Sequence, residues 1–278
     1  MTERDRTTAL DAIFRPTSIA VIGASKKPGK IGAEIIRNLF GYEFEGKIYP
    51  VNRSEKFIHS TKSYSSLDSI PDAVDLAIIS VPRPFVKDVV QQCADKGVRG
   101  LIIITSGYKE TGDDGARLED ELMEIIREGN MVAVGPNCMG VINTDPSIRM
   151  NATFGPLNVL PGNVSFLSQS GALGVVLIEQ ASEIDMGLRM FVSQGNRMDI
   201  SADQFMEYWH QDPGTDAILM YIESFGAPRR FSSVARAVAT DKPVVVLKSG
   251  RTAIGAKAAS SHTGALAGTD VAYDTLFK

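Results

Sequence analysis

Apolar runs of strand length alternate with segments of helical periodicity along most of the chain. In the first half, strands are predicted over residues 18–25 (the last three of which form a turn), 47–51, 76–82, 100–106 and 131–135. Helices are predicted between them over residues 32–40, 85–96 and 114–128. This alternation is typical of a doubly wound parallel α/β sheet, which binds ligands at the carboxyl ends of its strands.

The same alternation restarts in the second half after an interruption. Strands are predicted over residues 163–167, 188–192, 216–222 and 242–247, and helices over residues 172–184, 201–210 and 228–240. Between residues 145 and 162 the periodicity lapses and three prolines occur, which is typical of a linker. The sequence therefore predicts two α/β domains, over residues 9–144 and 145–278.

The composition narrows the class of protein. The 278 residues are 44% hydrophobic and 22% charged with a formal net charge of −4, so nucleic acid is not expected as a partner. No apolar run approaches the ~20 residues that cross a bilayer, so we expect no membrane span. The two cysteines, Cys93 and Cys138, form neither a disulfide framework nor a metal-binding pattern, which suits the cytoplasm. We expect no metal site and interpret Cys138 as a small packed residue.

The strand ends of the first half carry residues suited to a phosphorylated ligand. The turn after the first strand holds Gly23, Gly29 and Gly32, a spacing that departs from the G-x-G-x-x-G of dinucleotide sites. No acid follows the second strand, where an NAD site holds the ribose hydroxyls; Asn52 and Arg53 stand there instead. A cationic, hydrogen-bonding strand end suits a ribose that bears a phosphate. NADP and coenzyme A both stay open at this point.

Two strand ends in the second half resemble each other. Phe166-Leu-Ser-Gln-Ser-Gly and Phe191-Val-Ser-Gln-Gly-Asn both place small residues and free backbone amides before a helix, where the macrodipole favours an anion. Ser and Gly are common in any turn, but these two converge with an acid, Glu223, on one edge of the predicted sheet. We therefore predict an anion site there, with Glu223 suited to orient a histidine and raise its basicity.

A loop of small residues contains the strongest catalytic candidate. Residues 257–268 (KAASSHTGALAG) hold His262, with no bulky neighbour before Leu266. Small neighbours leave the imidazole uncrowded, and neutral imidazole is a nucleophile that can carry a labile phosphoryl group near pH 7. The other two histidines, His59 and His210, lack such a setting and are assigned to surface or packing roles.

Four motifs, in this order, resemble one protein family. Gly135-Pro-Asn-Cys-Met-Gly140, Ser168-Gln-Ser-Gly171, Glu223 and Ser261-His-Thr-Gly264 are similar to motifs of the α-type half of ADP-forming (NDP-forming) acyl-CoA synthetases, relatives of succinyl-CoA synthetase. The resemblance covers about residues 9–278. It implies a Rossmann-like CoA-binding domain followed by a flavodoxin-like (succinyl-CoA synthetase-like) doubly wound domain. The implied reaction is acyl-CoA + ADP + phosphate giving carboxylic acid + CoA + ATP, through an acyl phosphate and a phosphohistidine.

The resemblance assigns roles to residues at the predicted strand ends. The phosphohistidine falls on His262 and its orienting acid on Glu223. The implied phosphate-binding residues are Ser168, Ser170, Gly171, Gly195 and Asn196. The implied CoA contacts are Gly23, Ser25, Asn52, Arg53, Ser80, Pro82, Ser106 and Asn137.

The resemblance also implies parts that this sequence lacks. The family has one more strand and helix after the histidine helix, and an ATP-grasp domain or β subunit that binds ATP or ADP with Mg²⁺. We therefore expect a chain that is truncated at the C-terminal end of its second domain and that needs this ATP-grasp partner. CoA or acyl-CoA and inorganic phosphate are the expected small-molecule partners, and a homo- or hetero-oligomer is the expected assembly.

Two other functions stay open on the sequence. A related region senses acyl-CoA in protein lysine acetyltransferases, where the histidine is often replaced; the intact Ser261-His-Thr-Gly264 favours the enzyme. An NADP-dependent oxidoreductase would account for Arg53, but it would leave the anion turns and His262 without a purpose.

Overall fold

The computed structural model describes residues 8–155 and 158–249, and each half of the chain forms a sheet with helices. In chain order, the strands of the first half are β1 (Ser18–Ile22), β2 (Lys47–Val51), β3 (Phe57–Ile58), β4 (Thr61–Lys62), β5 (Leu76–Ile79), β6 (Gly100–Ile103) and β7 (Val132–Val134). Its helices are α1 (Asp11–Phe14), α2 (Ile31–Gly41), α3 (Val86–Lys96) and α4 (Asp113–Glu128). β3 and β4 form a separate two-stranded ribbon, and the other strands form one sheet.

The first sheet has the order β2-β1-β5-β6-β7, and every neighbouring pair is parallel. β1, β5 and β6 are buried along their whole length, which explains why they read as continuous apolar runs in the sequence. The chain leaves β1 toward β2 on one side, and it leaves β5 toward β6 on the other. The crevice between the carboxyl ends of β1 and β5 is therefore the topological switch point, where such sheets bind ligands.

The second sheet is mixed. Its strands are β8 (Gly140–Asn143), β9 (Met150–Thr153), β10 (Pro161–Ser168), β11 (Leu188–Ser193), β12 (Ala217–Ile222) and β13 (Val244–Lys248), and its helices are α5 (Gly171–Glu183), α6 (Ala202–Gln211) and α7 (Pro228–Val238). The order is β13-β12-β10-β11-β8-β9, parallel from β13 to β11 and antiparallel beyond. The connections from β10 and β12 run in opposite directions, so a second switch point lies between their carboxyl ends.

The predicted fold class, two doubly wound α/β halves, is confirmed. The predicted strands and helices are present within a few residues of their expected bounds. Local chemistry fixes several helix ends: α4 carries Asp113 and Asp114 in its first turn and Arg127 in its last, and Ser201 and Gln204 form a capping box at α6. Among the described residues, no helix is long and apolar enough to cross a membrane.

The linker predicted over residues 145–162 is wrong in its first part, because β8 and β9 form a hairpin at the edge of the second sheet. The sequence does not show the strand pattern of this hairpin, because buried polar residues interrupt the apolar ones. Asn143, Asn151 and Thr153 are all fully buried. Asn143 Nδ2 donates to the carbonyl of Phe14 at 2.7 Å, and Thr153 Oγ1 donates to Asn151 Oδ1 at 2.6 Å. Since β8 precedes residue 145, the second sheet begins on the N-terminal side of the predicted domain boundary.

One hydrophobic core runs through both halves of the molecule. The same cluster of buried side chains contains Val21 of the first sheet and Val192 of the second. α1 lies at the junction: Phe14 is fully buried, its ring centroid lies 5.4 Å from that of Tyr208, and it meets Trp209 at 6.3 Å. A continuous apolar interface of this kind favours a fixed arrangement of the two halves.

A partly buried ion network joins the same two halves beside α1. Asp212 is 5% exposed and accepts hydrogen bonds from Arg15 Nη2 at 2.6 Å and Arg189 Nε at 3.0 Å. Asp145 accepts from Arg189 Nη2 at 2.5 Å. Burial alone would raise the pKa of both carboxyls. Hydrogen bonds from Ser147 and Arg189 outweigh burial at Asp145 and lower its pKa to about 2, and Arg189 likewise lowers the pKa of Asp212.

Candidate active site

The switch point of the first sheet opens into two adjoining clefts, of about 320 Å³ and about 550 Å³. The predicted CoA residues that line them are Gly23 and Asn52 (both clefts), Arg53 and Pro82 (the smaller cleft), and Ser25 and Ser80 (the larger cleft). The structure thus brings six of the eight predicted residues together at one crevice. These two cavities are called the CoA clefts below, after the ligand predicted for them.

Gly23 has a conformation and a neighbour that both require glycine. Its φ is +91°, and a Cβ at this position would lie 2.8 Å from the carbonyl oxygen of Ser80. The Ser80 hydroxyl donates to the carbonyl of Ile22 at 3.1 Å, which holds the ends of β1 and β5 together. The absence of a side chain at Gly23 also lets a ligand come close to the backbone of the turn.

The side chain of Asn52 is committed to the protein. Its Oδ1 accepts from the backbone amides of Ser54 at 2.8 Å and Glu55 at 3.0 Å, and its Nδ2 donates to the carbonyl of Ala24 at 2.7 Å. Asn52 therefore ties the turn after β1 to the turn after β2 and shapes the crevice between them. Direct contact of Asn52 with a ligand stays a prediction.

Cationic side chains line both CoA clefts. Arg53 is exposed, and its guanidinium carbon lies 5.5 Å from the centre of the Phe85 ring, within cation–π range. Lys27 and Lys30 line the larger cleft, where the carboxylate of Glu55 is paired with a neighbouring lysine at 2.7 Å. These cations suit a ligand that carries phosphate groups at separate points. Sequence reasoning identified Arg53 and missed both lysines and Phe85, although the lysines stand in the glycine turn itself.

Ser106 and Asn137, the other two predicted CoA contacts, do not line these clefts. Ser106 is exposed shortly after β6. Asn137 has a left-handed backbone (φ +59°), and its Nδ2 donates to Asn196 Oδ1 at 3.2 Å, so its side chain faces the second half. The neighbouring Cys138 is buried, its Sγ lies 3.3 Å from the carbonyl of Ile103, and burial raises the pKa of its thiol to about 12. A packing role for Cys138 fits this environment.

The switch point of the second sheet contains the first predicted phosphate turn. Ser170 is the N-cap of α5, with its Oγ 3.4 Å from the amide of Leu173. Gly171 begins the helix, and a Cβ there would meet nothing closer than 3.8 Å. The start of α5 is therefore open at Gly171, next to the amides that a helix leaves unpaired. Ser168 is fully buried and donates its hydroxyl to the Ser170 carbonyl at 2.6 Å, so it shapes the turn from behind.

The second predicted turn, after β11, faces the first half of the molecule. Gly195 has a φ of +62°, and a Cβ there would come within 2.3 Å of the carbonyl oxygen of Pro136. Asn196 Nδ2 donates to Glu110 Oε2 at 2.6 Å and to Glu119 Oε2 at 2.8 Å. The side chain of Asn196 thus links the two halves, and its contact with phosphate stays a prediction.

The two carboxylates that share Asn196 titrate differently. Burial raises the pKa of Glu119, which is 6% exposed. Burial acts in the same direction on Glu110, but hydrogen bonds from Asn196 and from the Gly107 amide outweigh it and lower the pKa of Glu110. The loop after β6 is therefore held against the Asn196 turn by an ionised carboxylate.

Glu223 follows β12 directly and is half-buried. A cavity of about 30 Å³ beside it is lined by Lys109, Gln169, Gly195, Asn196, Arg197, Glu223 and Ser224. The structure thus brings the predicted acid next to the Gly195–Asn196 turn, whereas the opening of α5 does not line this cavity. A carboxylate, two cationic residues and the backbone of a glycine turn can together orient an imidazole and hold a small anion.

Four residues of this cavity were not predicted: Lys109, Gln169, Arg197 and Ser224. Lys109 comes from the first half, and the sequence carries no signal for it beyond its place in a loop after a strand. Arg197 Nη1 donates to the Ser224 carbonyl, and burial lowers the pKa of its guanidinium. Gln169 did carry a signal, because it occupies the same position as Gln194 in the two similar turns.

His262 and the rest of its loop lie outside the described residues, so its catalytic role stays a prediction. Within residues 8–155 and 158–249, no group of three or more His, Cys, Asp and Glu side chains is arranged to hold a metal ion. The described part of the chain places the cationic residues Arg53, Lys27 and Lys30 at the first switch point. At the second it places Glu223 beside the Gly195–Asn196 turn.

Two family models match the chain. Residues 17–144 match a CoA binding domain, and residues 161–278 match a succinyl-CoA ligase like flavodoxin domain. The CoA clefts lie within the first match, and Glu223 and His262 lie within the second.

Proteins of known function resemble the chain over nearly all of its length. The α subunit of ADP-forming acetate–CoA ligase I from Pyrococcus furiosus is 47% identical over 97% of this chain and 59% of its own length. The ADP-forming 4-hydroxybutyrate–CoA ligase of Nitrosopumilus maritimus is 41% identical over 96% of this chain and 38% of its own length. The acetyl-coenzyme A synthetase 1 of Candidatus Korarchaeum cryptofilum, solved with phosphate and ADP, has a TM-score of 0.92 and 43% identity, covering 96% of this chain and 57% of that protein.

Proposed function

The chain belongs to the family of ADP-forming CoA ligases, and we propose that it is the part of such an enzyme that binds CoA and carries the phosphoryl group. It spans 59% of the P. furiosus relative and 38% of the N. maritimus relative. We assign CoA binding to residues 9–144 and phosphoryl transfer to residues 145–278. ADP, ATP and Mg²⁺ are assigned to an ATP-grasp domain or β subunit. The observation that carries the proposal is that strand ends of both sheets meet at one cavity: Asn196 of the second half bonds to Glu110 in the loop after β6, and Lys109 of that loop lines the cavity beside Glu223.

The proposed reaction converts acyl-CoA, ADP and phosphate into carboxylic acid, CoA and ATP. Phosphate attacks the thioester carbonyl, the carbon–sulfur bond breaks, and an acyl phosphate and the CoA thiolate result. The imidazole of His262 then attacks phosphorus, the carboxylate leaves, and the phosphoryl group stays on the ring nitrogen until ADP accepts it. Glu223 orients the imidazole and stabilises its positive charge.

The proposed ligand contacts fall into two sets, one for CoA and one for phosphate. The proposed CoA contacts are Gly23, Ser25, Asn52, Arg53, Ser80, Pro82, Ser106 and Asn137. The proposed phosphate contacts are Ser168, Ser170, Gly171, Gly195 and Asn196. The two cysteines are free and buried, which supports an assignment to the cytoplasm, and we propose a homo- or hetero-oligomer as the working assembly.

Two observations favour this function over an NADP-dependent oxidoreductase and over a regulatory acyl-CoA sensor. The match of residues 17–144 to a CoA binding domain favours CoA over NADP. The relatives with the ligase name cover both halves, including the position of His262, which favours the enzyme over a regulatory acyl-CoA sensor.

The complete protein, with its ATP-grasp part, should convert acetyl-CoA (used as a probe), ADP and phosphate into ATP and free CoA in equal amounts. ATP is measured with a coupled hexokinase reaction and the CoA thiol with Ellman's reagent. A protein that binds acetyl-CoA but forms neither product from any short-chain acyl-CoA would support the regulatory sensor and overturn the ligase.

Arg53→Ala should weaken CoA binding by roughly 10- to 150-fold, which corresponds to about 1.5–3 kcal/mol for a charge-assisted phosphate contact. Arg99→Ala is the matched control, because Arg99 precedes β6 at the opposite edge of the same sheet and is exposed. Calorimetry with CoA and with NADH gives the affinities. NADH that binds more tightly than CoA, or equal affinities for the two variants, would contradict the assignment of the clefts.

A further inference from the structure

Gln169 lies at the second switch point and uses the whole hydrogen-bonding capacity of its side chain. Its Oε1 accepts from the backbone amides of Glu223 at 2.8 Å and Ser224 at 3.0 Å. Its Nε2 donates to the carbonyl of Ser224 at 3.0 Å and to Oε1 of Gln194 at 3.2 Å. An amide has two donor hydrogens and two acceptor lone pairs, so all four are engaged. At 8% exposure, Gln169 makes these bonds away from water.

Gln194 extends the same network to the turn after β11. It is 1% exposed, and its Nε2 donates to the carbonyl of Ile200 at 2.7 Å. Its backbone amide donates to the Ser168 carbonyl at 2.8 Å. The two glutamines therefore join the ends of β10, β11 and β12, the three strands whose turns form the proposed phosphate edge.

The side-chain amide of Gln169 has one orientation that fits. If its oxygen and nitrogen exchanged places, an NH₂ group would face the amides of Glu223 and Ser224, donor against donor. The Gln194 amide is fixed in turn by its bond to Ile200. The pair therefore behaves as a single arrangement rather than as two adjustable contacts.

The side-chain hydrogen bonds of Gln169 lie just beyond the last residue pair of the β10–β12 ladder. β10 pairs with β12 as far as Ser168 opposite Tyr221, and the Gln169 amide adds one bond to the Tyr221 carbonyl at 3.1 Å. Beyond that point the side chain of Gln169, and not a strand, receives the next amides of the β12 segment. It sets the direction of the chain at Glu223, the residue to which the mechanism assigns the orienting carboxylate.

We propose that Gln169 is a positioning residue: it acts through the backbone of Glu223 to hold the phosphoryl-transfer site and does not itself touch the ligand. The proposal rests on the proposed function of Glu223. Gln169→Leu should lower the rate of enzyme phosphorylation by ATP and Mg²⁺ by about 10- to 100-fold, the scale expected when a catalytic group is displaced by an ångström. CoA affinity should change less than about twofold, because the CoA clefts belong to the other sheet.

The control is Thr215→Val, which also removes a buried hydrogen-bonding group from the second half. Thr215 is 1% exposed, lies before β12 at the opposite edge of the sheet, and shares its hydroxyl with Ser165 at 2.8 Å and Asp212 at 2.8 Å. Its loss should lower the melting temperature without slowing phosphorylation. The complete protein is used, with single-turnover labelling by radioactive ATP, CoA calorimetry and thermal unfolding measured on each variant.

Gln169→Glu separates positioning from mere stability. The ionised carboxylate can still accept from the two amides, but it presents an oxygen to the Ser224 carbonyl and to Gln194. The protonated form regains a donor, so the rate relative to the parent should rise as the pH is lowered from 8 toward 5. This ratio is measured even if the leucine variant fails to fold.

The outcomes are distinct. A parent that takes up no phosphate removes the proposed function and this inference with it. If the parent labels, a Gln169→Leu rate equal to the parent's, a Thr215→Val rate lowered as much as the Gln169→Leu rate, or a Gln169→Glu ratio that does not change with pH would each overturn the positioning role alone.

Discussion

We expect the His262→Ala form of the complete protein to take up no acid-labile, base-stable phosphate from ATP and Mg²⁺, whereas the parent becomes labelled. Alanine removes the ring nitrogen on which the phosphoryl group is carried, and the hydroxyls of the adjacent Ser261 and Thr263 would form phosphate esters, which are stable to acid. Turnover should fall by more than about 10³-fold, the scale seen when a covalent nucleophile is lost. CoA affinity should stay nearly unchanged, because the CoA clefts are built by the first half.

His210→Ala is the matched control for this experiment. His210 lies on α6 with its Nε2 2.8 Å from Asp241 Oδ2, in a contact that serves the surface of the second half. This variant should label as the parent does. Glu223→Gln should slow labelling without preventing it, because it removes the orienting charge and leaves the nucleophile. A His262→Ala protein that labelled and turned over at the parent rate would exclude a phosphohistidine mechanism, whatever the CoA affinity.

Asp212→Ala should lower the free energy of unfolding by about 3 kcal/mol. The substitution removes the more deeply buried of the two carboxylates that Arg15 and Arg189 contact and leaves them only Asp145. Removal of one partner from a buried ion pair typically costs 3–5 kcal/mol. The lower end applies because the Arg15 side chain is 32% exposed. The unfolding is followed by tryptophan fluorescence during chemical denaturation. Trp209 is the only tryptophan in the sequence, and it is buried near Phe14 on α6, the helix that ends just before Asp212.

Arg117→Ala is the matched control, because it removes an exposed pair with Glu121 on one helix and should cost less than about 0.5 kcal/mol. The pH dependence gives a second check. The folded pKa of Asp145 is about 2, and that of Asp212 is also lowered. Their stabilising effect is therefore complete above about pH 4 and is lost as the pH falls toward the folded values. An Asp212→Ala effect as small as the control's, or unchanged from pH 7 to pH 2, would contradict the network.

The sequence predicted the central parallel strands β1, β5 and β6 well because their burial on both faces makes them continuous apolar runs. It failed at β8 and β9, where Asn143, Asn151 and Thr153 are buried and the apolar pattern is broken. Buried polar residues of this kind are accommodated by tertiary partners such as the Phe14 carbonyl, which no local pattern reveals. α1 was missed for a related reason: four residues carry too little periodicity to predict a helix, and its stability comes from the aromatic residues of α6.

At the site, the sequence predicted residue types better than contacts. The repeated Phe-x-Ser-Gln turns suggested anion binding, yet the register of β10 and β11 places Ser168 opposite Ser193, so the following glutamines meet each other. Part of the repeat is therefore explained by the glutamine pair rather than by a ligand. Asn52 and Asn196 were predicted as ligand contacts from their places at strand ends and from the family resemblance. The structure gives both amides protein partners, which only the folded chain could supply.

The continuous core has a consequence for the distance between the CoA clefts and Glu223. Domains that share a thin polar interface can close around a ligand and shorten such a distance, but here the junction at Phe14 is filled with interlocking aromatic rings. The packing at this junction therefore fixes the distance between the CoA clefts and Glu223. A reacting group can pass from the first sheet to the second only if the ligand that carries it, or a segment of polypeptide, spans this distance, because the two sheets do not move toward each other.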